Sequence, residues 1–405
     1  MTIRTIVLLM TLSVFSNVHA QFIHFDAGKG LQHADITVAD IDNDGDLDII
    51  AGGVTTENGV QFTKSVIYIN NNGVYELQGD TMGNTSYQNP VFEPDMADPT
   101  VIRAADGWFY AYGTENTWTN GVHHLVPVIK SKNLVQWQFV KDAFTSPPTW
   151  KSDGGGIWAP DVSFLNGKYY MFYAMSTWGD SNPGIGLAVS ALPEGPFIDK
   201  GKIFDSSSIG VTNSIDPYFI QTGSGDSLKS YLFWGSFSGI YGIELAADFK
   251  TTVGVKFKIA GNAFEASCIC EKNGKFYFFG STGSCCDGVN SLYRVNVAVA
   301  TSIKGPYYDK TSNAILKDGQ FGSTFLSGSQ TAGWVGPGHN SKIVTDDAGN
   351  DYFLYHAIDV TKPLLPGGAT RRPLMMDKIT WTNGWPYLPG GVPGKGVQIE
   401  PVIKF

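Results

Sequence analysis

The sequence predicts an all-β protein, a five-bladed β-propeller preceded by a small β module that carries a calcium-type loop. A turn followed by alternating aromatic residues recurs five times in residues 89–405, whereas helical periodicity is almost absent. An aspartate-rich loop precedes these repeats, between two short segments with the composition of strands. We therefore divide the chain into four parts, which are residues 1–20, 21–80, 81–88 and 89–405.

Residues 1–20 have the features of an export signal. Arg4 supplies a positive charge, residues 6–15 form an apolar run, and Val18-His19-Ala20 fits a cleavage site with small residues. The run is shorter than the roughly 20 residues that a membrane-spanning helix needs. We predict a secreted protein, periplasmic or extracellular, that begins near Gln21 and is not inserted in a membrane.

The composition argues against a nucleic-acid partner and does not decide whether the cysteines form disulfides. The 405 residues are 42% hydrophobic and 16% charged, with a net charge of −9, so no basic surface would offset nucleic-acid phosphates. The cysteines cluster at Cys268, Cys270, Cys285 and Cys286. A disulfide is possible in an exported protein; buried free thiols are the alternative, and the pairing stays undecided. Zinc is disfavoured, because no C-x₂-C spacing occurs.

Residues 40–48 read D-I-D-N-D-G-D-L-D and predict a calcium loop. Gly45 suits a sharp turn, and oxygen ligands at alternate positions suit Ca²⁺. An EF-hand would have Glu at the twelfth position, where this chain has Ala51. The loop resembles those of FG-GAP/VCBS repeats, which implies a calcium-binding segment over residues 21–80, followed by a linker. The predicted ligands are Asp40, Asp42, Asp44 and Asp48.

The five aromatic repeats predict the second strand of five hairpins, and the segment before each repeat predicts an inner strand. Innermost strands line the central channel of a propeller, so equivalent positions should converge there. Pro217 favours extended backbone at Asp216, and Pro99 has the same effect at Asp98. Each inner strand begins with a polar or ionisable residue: Asp98, Asp161, Asp216, Glu265 and His339.

Carboxylates that converge in a cleft repel one another, so at least one should have a raised pKa and stay protonated near neutrality. A protonated acid beside an ionised base is what glycosidic bond cleavage requires. The alternative is that these residues cap strands or bind a central ion.

The stretches A-D-P-T, W-A-P-D-V, N-S-I-D-P and F-E-A-S, in this order, resemble glycoside hydrolase family 43 over residues 89–405. The resemblance implies a five-bladed propeller that hydrolyses glycosidic bonds with inversion. It implies Asp98 as general base, Glu265 as general acid and Asp216 as the carboxylate that raises the pKa of the acid. Asp95 is a rival to Asp98, and Asp161 is expected to form structural hydrogen bonds.

Three further stretches are similar to the arabinanases of this family: S-T-W-G-D-S-N-P-G-I-G-L-A, S-C-C-D-G-V-N-S-L-Y-R-V and G-P-G-H-N-S-K. They imply an endo-arabinanase-like enzyme for α-1,5-linked L-arabinofuranose chains, and a calcium or similar ion near His339, held largely through water. The chain departs from the pattern at Ala266-Ser267, where these enzymes usually have proline after the acid. The linkage therefore stays an expectation.

Trp158 and Trp178 are the candidate sugar-stacking residues, with packing between blades as the alternative. Of Arg371 and Arg372, we expect one to reach the substrate and the other to be a solvated charge. The alternatives to an arabinanase are a β-xylosidase or α-L-arabinofuranosidase of the same family, and a non-catalytic carbohydrate-binding propeller. The expected partner is an arabinan-type polysaccharide or oligosaccharide, bound by a monomer.

Overall fold

The structure is a computed structural model that describes residues 32–39, 47–57, 60–71, 74–81 and 86–404. These residues form two compact units, which divide between Ser86 and Tyr87. In this part of the chain no helix is long and apolar enough to cross a membrane. The predicted export signal at residues 1–20 lies outside the described residues.

The first unit contains one antiparallel four-stranded sheet in sequence order. Its strands are β1 (Gln32–Ala39), β2 (Asp48–Glu57), β3 (Val60–Asn71) and β4 (Val74–Thr81). Ala39 pairs with Asp48, so the aspartate-rich loop connects β1 to β2. Of the predicted calcium ligands, Asp40, Asp42 and Asp44 lie outside the described residues, and Asp48 begins β2. Calcium binding here stays a prediction.

The second unit consists of five antiparallel sheets, the blades, with short elements around them. β5 (Ser86–Tyr87) precedes the blades. Blade 1 contains β6 (Thr100–Arg103), β7 (Phe109–Tyr112), β10 (Pro127–Ser131) and β11 (Trp137–Asp142), with β8 (Asn116–Thr117) and β9 (His123–His124) forming a hairpin between β7 and β10. Blade 2 contains β12 (Gly156–Leu165), β13 (Lys168–Ser176), β14 (Gly184–Ser190) and β15 (Ile198–Asp205).

Blade 3 contains β16 (Tyr218–Thr222), β17 (Lys229–Trp234), β18 (Ile240–Leu245) and β19 (Thr252–Ala260). Blade 4 contains β20 (Glu265–Lys272), β21 (Lys275–Thr282), β22 (Arg294–Ala300) and β23 (Ser323–Ser327). Blade 5 contains β24 (Trp334–Gly338), β25 (Val344–Thr345), β26 (Asp351–Asp359) and β27 (Leu374–Lys378). The strands β28 (Thr380–Thr382), β29 (Trp385–Tyr387) and β30 (Gln398–Ile399) follow, and the short helices are α1 (Ser206–Ile209) and three 3₁₀ turns (Gly225–Ser227, Gly288–Asn290 and Pro389–Gly391).

The five-bladed β-propeller predicted from the sequence is confirmed. Every aromatic repeat forms the second strand of its blade, namely β7, β13, β17, β21 and β26. The inner strand of blade 5 is interrupted: β24 and β25 pair in succession with one edge of β26, while β27 pairs with the other. Inner strands of neighbouring blades touch, and the Val101 N–H of blade 1 donates to the Ser341 hydroxyl of blade 5 over 2.7 Å.

The ring of blades is closed by the segment that precedes blade 1. The Val91 N–H donates to Leu374 O over 2.9 Å, and the Leu374 N–H donates to Phe92 O over 3.1 Å. The Asn89 side chain accepts the Met376 N–H over 2.8 Å and donates to Met376 O over 3.0 Å. Residues 89–92 therefore add an outer edge to blade 5 and tie the first and last blades together.

Aromatic side chains fill the space between blades. Phe172 of β13 stacks on Phe219 of β16, with ring centroids 4.9 Å apart and planes inclined by 7°. Both rings are buried, and burial of each stabilises the fold by about 1.5–3 kcal/mol. Because propeller sheets are covered on both faces, the middle strands are apolar on both sides rather than alternating.

Candidate active site

A cavity of about 850 Å³ opens at the ends of the inner strands, and all five blades contribute to its wall. Residues that the sequence placed in different blades meet here. The cavity wall includes every predicted propeller site residue: Asp98, Trp158, Trp178, Asp216, Glu265 and His339.

At the cavity, one residue with left-handed backbone geometry lies in or directly beside the inner strand of each blade. Their φ angles are 52° at Asp98, 46° at Ala159, 57° at Asp216, 53° at Ala266 and 43° at His339. The prediction of extended backbone before proline is therefore wrong at Asp98 and Asp216. Non-glycine residues adopt this region only where the surrounding structure imposes it, and such strain concentrates at functional sites. The strand register shifts at or next to these residues in blades 2, 4 and 5, so the regular ladder is interrupted beside the cavity.

The Asp98 carboxylate is surrounded by donors. Arg372 Nη1 donates to Oδ1 over 2.7 Å, and the Thr114 hydroxyl donates to Oδ2 over 2.6 Å. His339 Nδ1 lies 3.3 Å from Oδ1. Burial acts to raise the pKa of Asp98, but the charges of Arg372 and His339 outweigh it and hold the pKa well below its usual range. Asp98 is therefore ionised near neutral pH.

The pKa values of two imidazoles beside Asp98, those of His339 and His356, are shifted in opposite directions. The Asp98 N–H donates to His356 Nδ1 over 3.0 Å, so this nitrogen carries no proton. Burial and the neighbouring Arg372 lower the pKa of His356 well below its usual value, so its 3.4 Å approach to the Asp98 carboxylate is not an ion pair. Burial also acts to lower the pKa of His339, but Asp98 and the other carboxylates outweigh this effect and raise it.

The Thr114 hydroxyl determines which oxygen of Asp98 can act as a base. It accepts the Ala159 N–H over 2.9 Å, which leaves its single proton for Asp98 Oδ2. Oδ1 receives the contacts from Arg372 and His339, so Oδ2 keeps a lone pair for a water molecule. The rival Asp95 is buried outside the cavity wall, where it accepts the Arg372 N–H over 2.6 Å.

Glu265, the first residue of β20, is held by two hydroxyl groups. The Ser236 hydroxyl donates to Oε2 over 2.7 Å, and the Tyr293 side chain is its other hydrogen-bond partner. Burial raises the pKa of Glu265 even though these hydrogen bonds act to lower it. Glu265 therefore holds its proton at pH values where Asp98 has lost its own.

Asp216 is close enough to both Asp98 and Glu265 for their charges to raise its pKa. The Ala266 N–H donates to its Oδ2 over 3.2 Å. Burial raises the pKa of Asp216 to about 7; the charge of His339 opposes the rise, and the neighbouring Glu265 carboxylate adds to it. Because the two carboxyl groups interact, their protons are lost in steps that belong to the pair.

Trp158 and Trp178 form an aromatic corner at the cavity, with ring centroids 5.7 Å apart and planes inclined by 50°. Trp178 is 81% exposed. Its loop is anchored by Asp180, which pairs with Lys151 over 3.0 Å. Faces of this kind suit the apolar C–H surfaces of sugar rings.

Three other polar residues are accounted for differently. Asp161 accepts the Phe219 N–H over 2.7 Å, pairs with Lys342 over 3.0 Å and does not line the cavity, so it links inner strands. Arg372 lines the cavity. The expectation that the other arginine is solvated is wrong: Arg371 is only 5% exposed, and its guanidinium pairs with the exposed Glu93 carboxylate over 2.8 Å.

The cysteines divide into two classes. Cys285 and Cys286 form a disulfide between adjacent residues on the cavity wall. Cys268 is buried with a free thiol, and Cys270 is also free. Both alternatives that the sequence left open therefore occur, in different pairs.

The predicted ion near His339 has no direct ligand set. Among the residues that the structure describes, no group of three or more His, Cys, Asp or Glu side chains is arranged to hold a metal. His339 instead faces the Asp98 carboxylate. An ion held through water there stays a prediction, and no chemical step depends on it.

The fold and the cavity have counterparts among known proteins. The family model for glycosyl hydrolases family 43 matches residues 87–386. The chain belongs to this family. As a member of family 43, the protein is a glycoside hydrolase.

Its similar relatives include two secreted bacterial proteins. An extracellular endo-α-(1→5)-L-arabinanase of Bacillus subtilis is 34% identical over 303 residues, which cover 72% of this chain and 87% of that protein. An extracellular exo-α-(1→5)-L-arabinofuranosidase of Cellvibrio japonicus is 30% identical, over 73% of this chain and 86% of that protein. The structure of a Cellvibrio cellulosa α-L-arabinanase complexed with arabinohexaose is similar with a TM-score of 0.63 and 27% identity, covering 73% of this chain and 96% of that chain.

Sequence reasoning missed the groups that tune the carboxylates. Thr114, Ser236, Tyr293 and His356 contact Asp98 or Glu265 from other strands. They lie in or beside second and third strands, where the sequence shows only repeated aromatic and small residues. Tyr293 lies in the recognised stretch S-C-C-D-G-V-N-S-L-Y-R-V, but nothing in the local sequence shows which carboxylate these side chains contact, because that depends on register between strands.

Proposed function

We propose that this protein is a secreted, inverting endo-arabinanase that cleaves α-1,5-L-arabinofuranosidic bonds in arabinan or arabino-oligosaccharides. The observation that carries the proposal is one cavity in which Asp98 is ionised while Glu265 keeps its proton. The arabinan-degrading names of the similar proteins support the choice of sugar. Their extracellular location supports secretion, as the predicted export signal does.

Asp98 is the general base in this mechanism. Its free lone pair on Oδ2 takes a proton from a water molecule, while Arg372 and Thr114 keep the carboxylate in place. The water attacks the anomeric carbon from the face opposite the leaving oxygen, so the configuration inverts. Because its pKa is low, Asp98 is a mild base, and its contribution comes from position as much as from proton affinity.

Glu265 is the general acid, and Asp216 keeps it protonated. Glu265 donates its proton to the glycosidic oxygen as the bond to the anomeric carbon breaks. Asp216 and Glu265 interact, and two negative charges side by side disfavour each other, so the pair retains a proton. In the proposed mechanism this proton lies on Glu265 when the leaving oxygen takes it. Trp158 and Trp178 pack against the sugar chain on the blade 2 side of the cavity.

Products released from linear α-1,5-arabinan test the proposal. Chromatography over time should show arabino-oligosaccharides of mixed length first, which is endo action, and NMR should show the inverted anomer first. Immediate release of a single short product would indicate exo action, and release only from xylosides would favour a β-xylosidase.

Glu265→Gln tests the acid assignment. We expect a loss of about 10²–10⁴-fold on arabinan, because a single acid or base group contributes that much. Folding and glycan binding should persist, since glutamine has nearly the same shape. Activity close to wild type in a folded variant would rule out Glu265 as the acid.

The metal prediction adds a separate proposal. In this proposal the small module binds Ca²⁺ through Asp40, Asp42, Asp44 and Asp48. The supporting observation is that these carboxylates occur at alternate positions of a loop with Gly45 at its turn. The ion does not take part in the chemistry proposed for the cavity.

A further inference from the structure

Phe237 is an unexplained aromatic residue on the cavity wall. It lies in the turn between β17 and β18, lines the cavity and is 41% exposed. Its φ angle is 50°, which is a genuine outlier for a bulky side chain. No other aromatic ring packs against it within the described part of the chain. The fold therefore keeps a strained backbone and an exposed apolar ring at one position.

The backbone of the turn that carries this ring is fixed by close contacts. A Cβ atom on Gly235 would lie 2.2 Å from Gly239 O, so the two ends of the turn are in close backbone contact. The Phe237 N–H donates to Phe264 O over 2.9 Å, which ties the turn to blade 4 just before Glu265. Strain that the surrounding structure imposes in this way is typical of functional positions.

The same turn contacts the proposed general acid. Ser236, the residue before Phe237, donates its hydroxyl to Glu265 Oε2 over 2.7 Å. Glu265 protonates the oxygen of the leaving group, so the sugar attached to that oxygen has to lie against Glu265. Trp158 and Trp178 belong to blade 2, whereas Phe237 is the exposed aromatic ring next to the acid.

We propose that Phe237 forms the stacking platform for the sugar of the leaving group. This inference rests on the proposed function, because it assigns one side of the same cavity. One turn then performs two tasks: Ser236 fixes the acid, and Phe237 orients the glycosidic oxygen toward it. Binding that improves in the transition state appears in kcat as well as KM.

The test compares two substrates for Phe237→Ala. With a linear arabino-oligosaccharide we expect kcat/KM to fall by about 10-fold or more, the size of a lost aromatic contact of about 1.4 kcal/mol. With α-L-arabinofuranosyl fluoride the change should be much smaller, because the leaving group is not a sugar. Phe237→Trp and Phe237→Tyr should restore most of the oligosaccharide activity.

A second measurement separates the platform from an effect on the acid. If Phe237 acted only through Ser236 and Glu265, its removal would shift the high-pH limb of the rate profile. We expect this limb to stay in place, and oligosaccharide binding to Glu265→Gln to weaken when Phe237→Ala is added. A shifted limb with unchanged binding would overturn the proposal.

Phe164→Ala is the matched control, since Phe164 is 44% exposed and lies outside the cavity wall. It should leave both kcat/KM values unchanged, and an equal loss in both variants would overturn the platform. Wild-type inactivity on arabinan would instead overturn the proposed function, and the wild-type assay reveals this before any variant is compared.

Discussion

At the scale of single residues, the site depends on carboxyl groups whose environments push their pKa values apart. Asp98 is as buried as Glu265, yet its pKa falls because a guanidinium and a charged imidazole contact it. Glu265 receives only hydroxyl groups, so burial dominates and its pKa rises. The difference in donors, rather than in depth, therefore separates base from acid.

This separation predicts the pH dependence of kcat/KM on arabinan. As pH rises through the low pKa of Asp98, the base ionises and the rate increases. As pH rises through the raised pKa values of the interacting pair Asp216 and Glu265, of which that of Asp216 is about 7, the acid's proton is lost and the rate falls. A rate profile should show both limbs, and a rate that keeps rising well above pH 7 would contradict this assignment.

Thr114→Val probes the low-pH limb. Removing the hydroxyl takes a hydrogen bond from the ionised form of Asp98, so its pKa should rise and the limb should move up by about one pH unit. Thr114→Ser keeps the donor and should keep the wild-type limb. Thr100→Val is the control, because the Thr100 hydroxyl bonds Asp161 outside the cavity.

At the scale of elements, the inner strands form the hydrogen-bonded sheets and also position backbone N–H groups at the cavity. In or beside each inner strand, one residue next to the cavity has left-handed φ. Two of these residues, Ala159 and Ala266, have no reactive side chain. Their N–H groups donate to Thr114 and Asp216, which in turn act on the carboxyl chemistry. The bend therefore serves to aim backbone donors as well as side chains.

Gly338→Ala tests whether the backbone at the end of β24 must lie close to Tyr293, a hydrogen-bond partner of Glu265. The new Cβ would lie 2.1 Å from the Tyr293 ring, whose hydroxyl bonds Glu265. We expect the free energy of unfolding to fall by about 1–3 kcal/mol, as for other overpacked sites, and kcat to fall with it. Denaturant unfolding and steady-state assays measure both.

Gly396→Ala is the control, because no atom lies within 4 Å of the added Cβ. Its stability should change by less than about 0.5 kcal/mol. Normal activity and stability in Gly338→Ala would show that Tyr293 has room to move.

At the scale of the whole molecule, the ring of five blades is closed by residues of the second unit itself. Tyr87 is buried and donates its hydroxyl to Met376 O over 3.1 Å, and Asn89 continues the contact along β27. The second unit therefore contains the cores, the closing segment and the cavity within residues 87–404.

Two truncations test this organisation. A chain of residues 87–405 should fold and hydrolyse arabinan, and by calorimetric titration it should bind one Ca²⁺ ion fewer than the full chain. A chain of residues 95–405 lacks the closing segment, so its unfolding should be less cooperative and its activity low. Equal calcium stoichiometry for the full chain and residues 87–405 would refute the proposed calcium site, and equal stability of the two truncations would refute the closure.

The sequence by itself determined the five repeats and the positions of Asp98, Asp216 and Glu265, because the alternation of aromatic residues and the polar residues that open each inner strand are local features. Only the tertiary structure decided that Arg372 contacts Asp98, that Arg371 is buried against Glu93, and that a left-handed bend overrides the preference set by proline. These outcomes depend on contacts between blades far apart in the chain. The energies of these ion pairs and backbone contacts depend on distances in space, which a local sequence pattern does not contain.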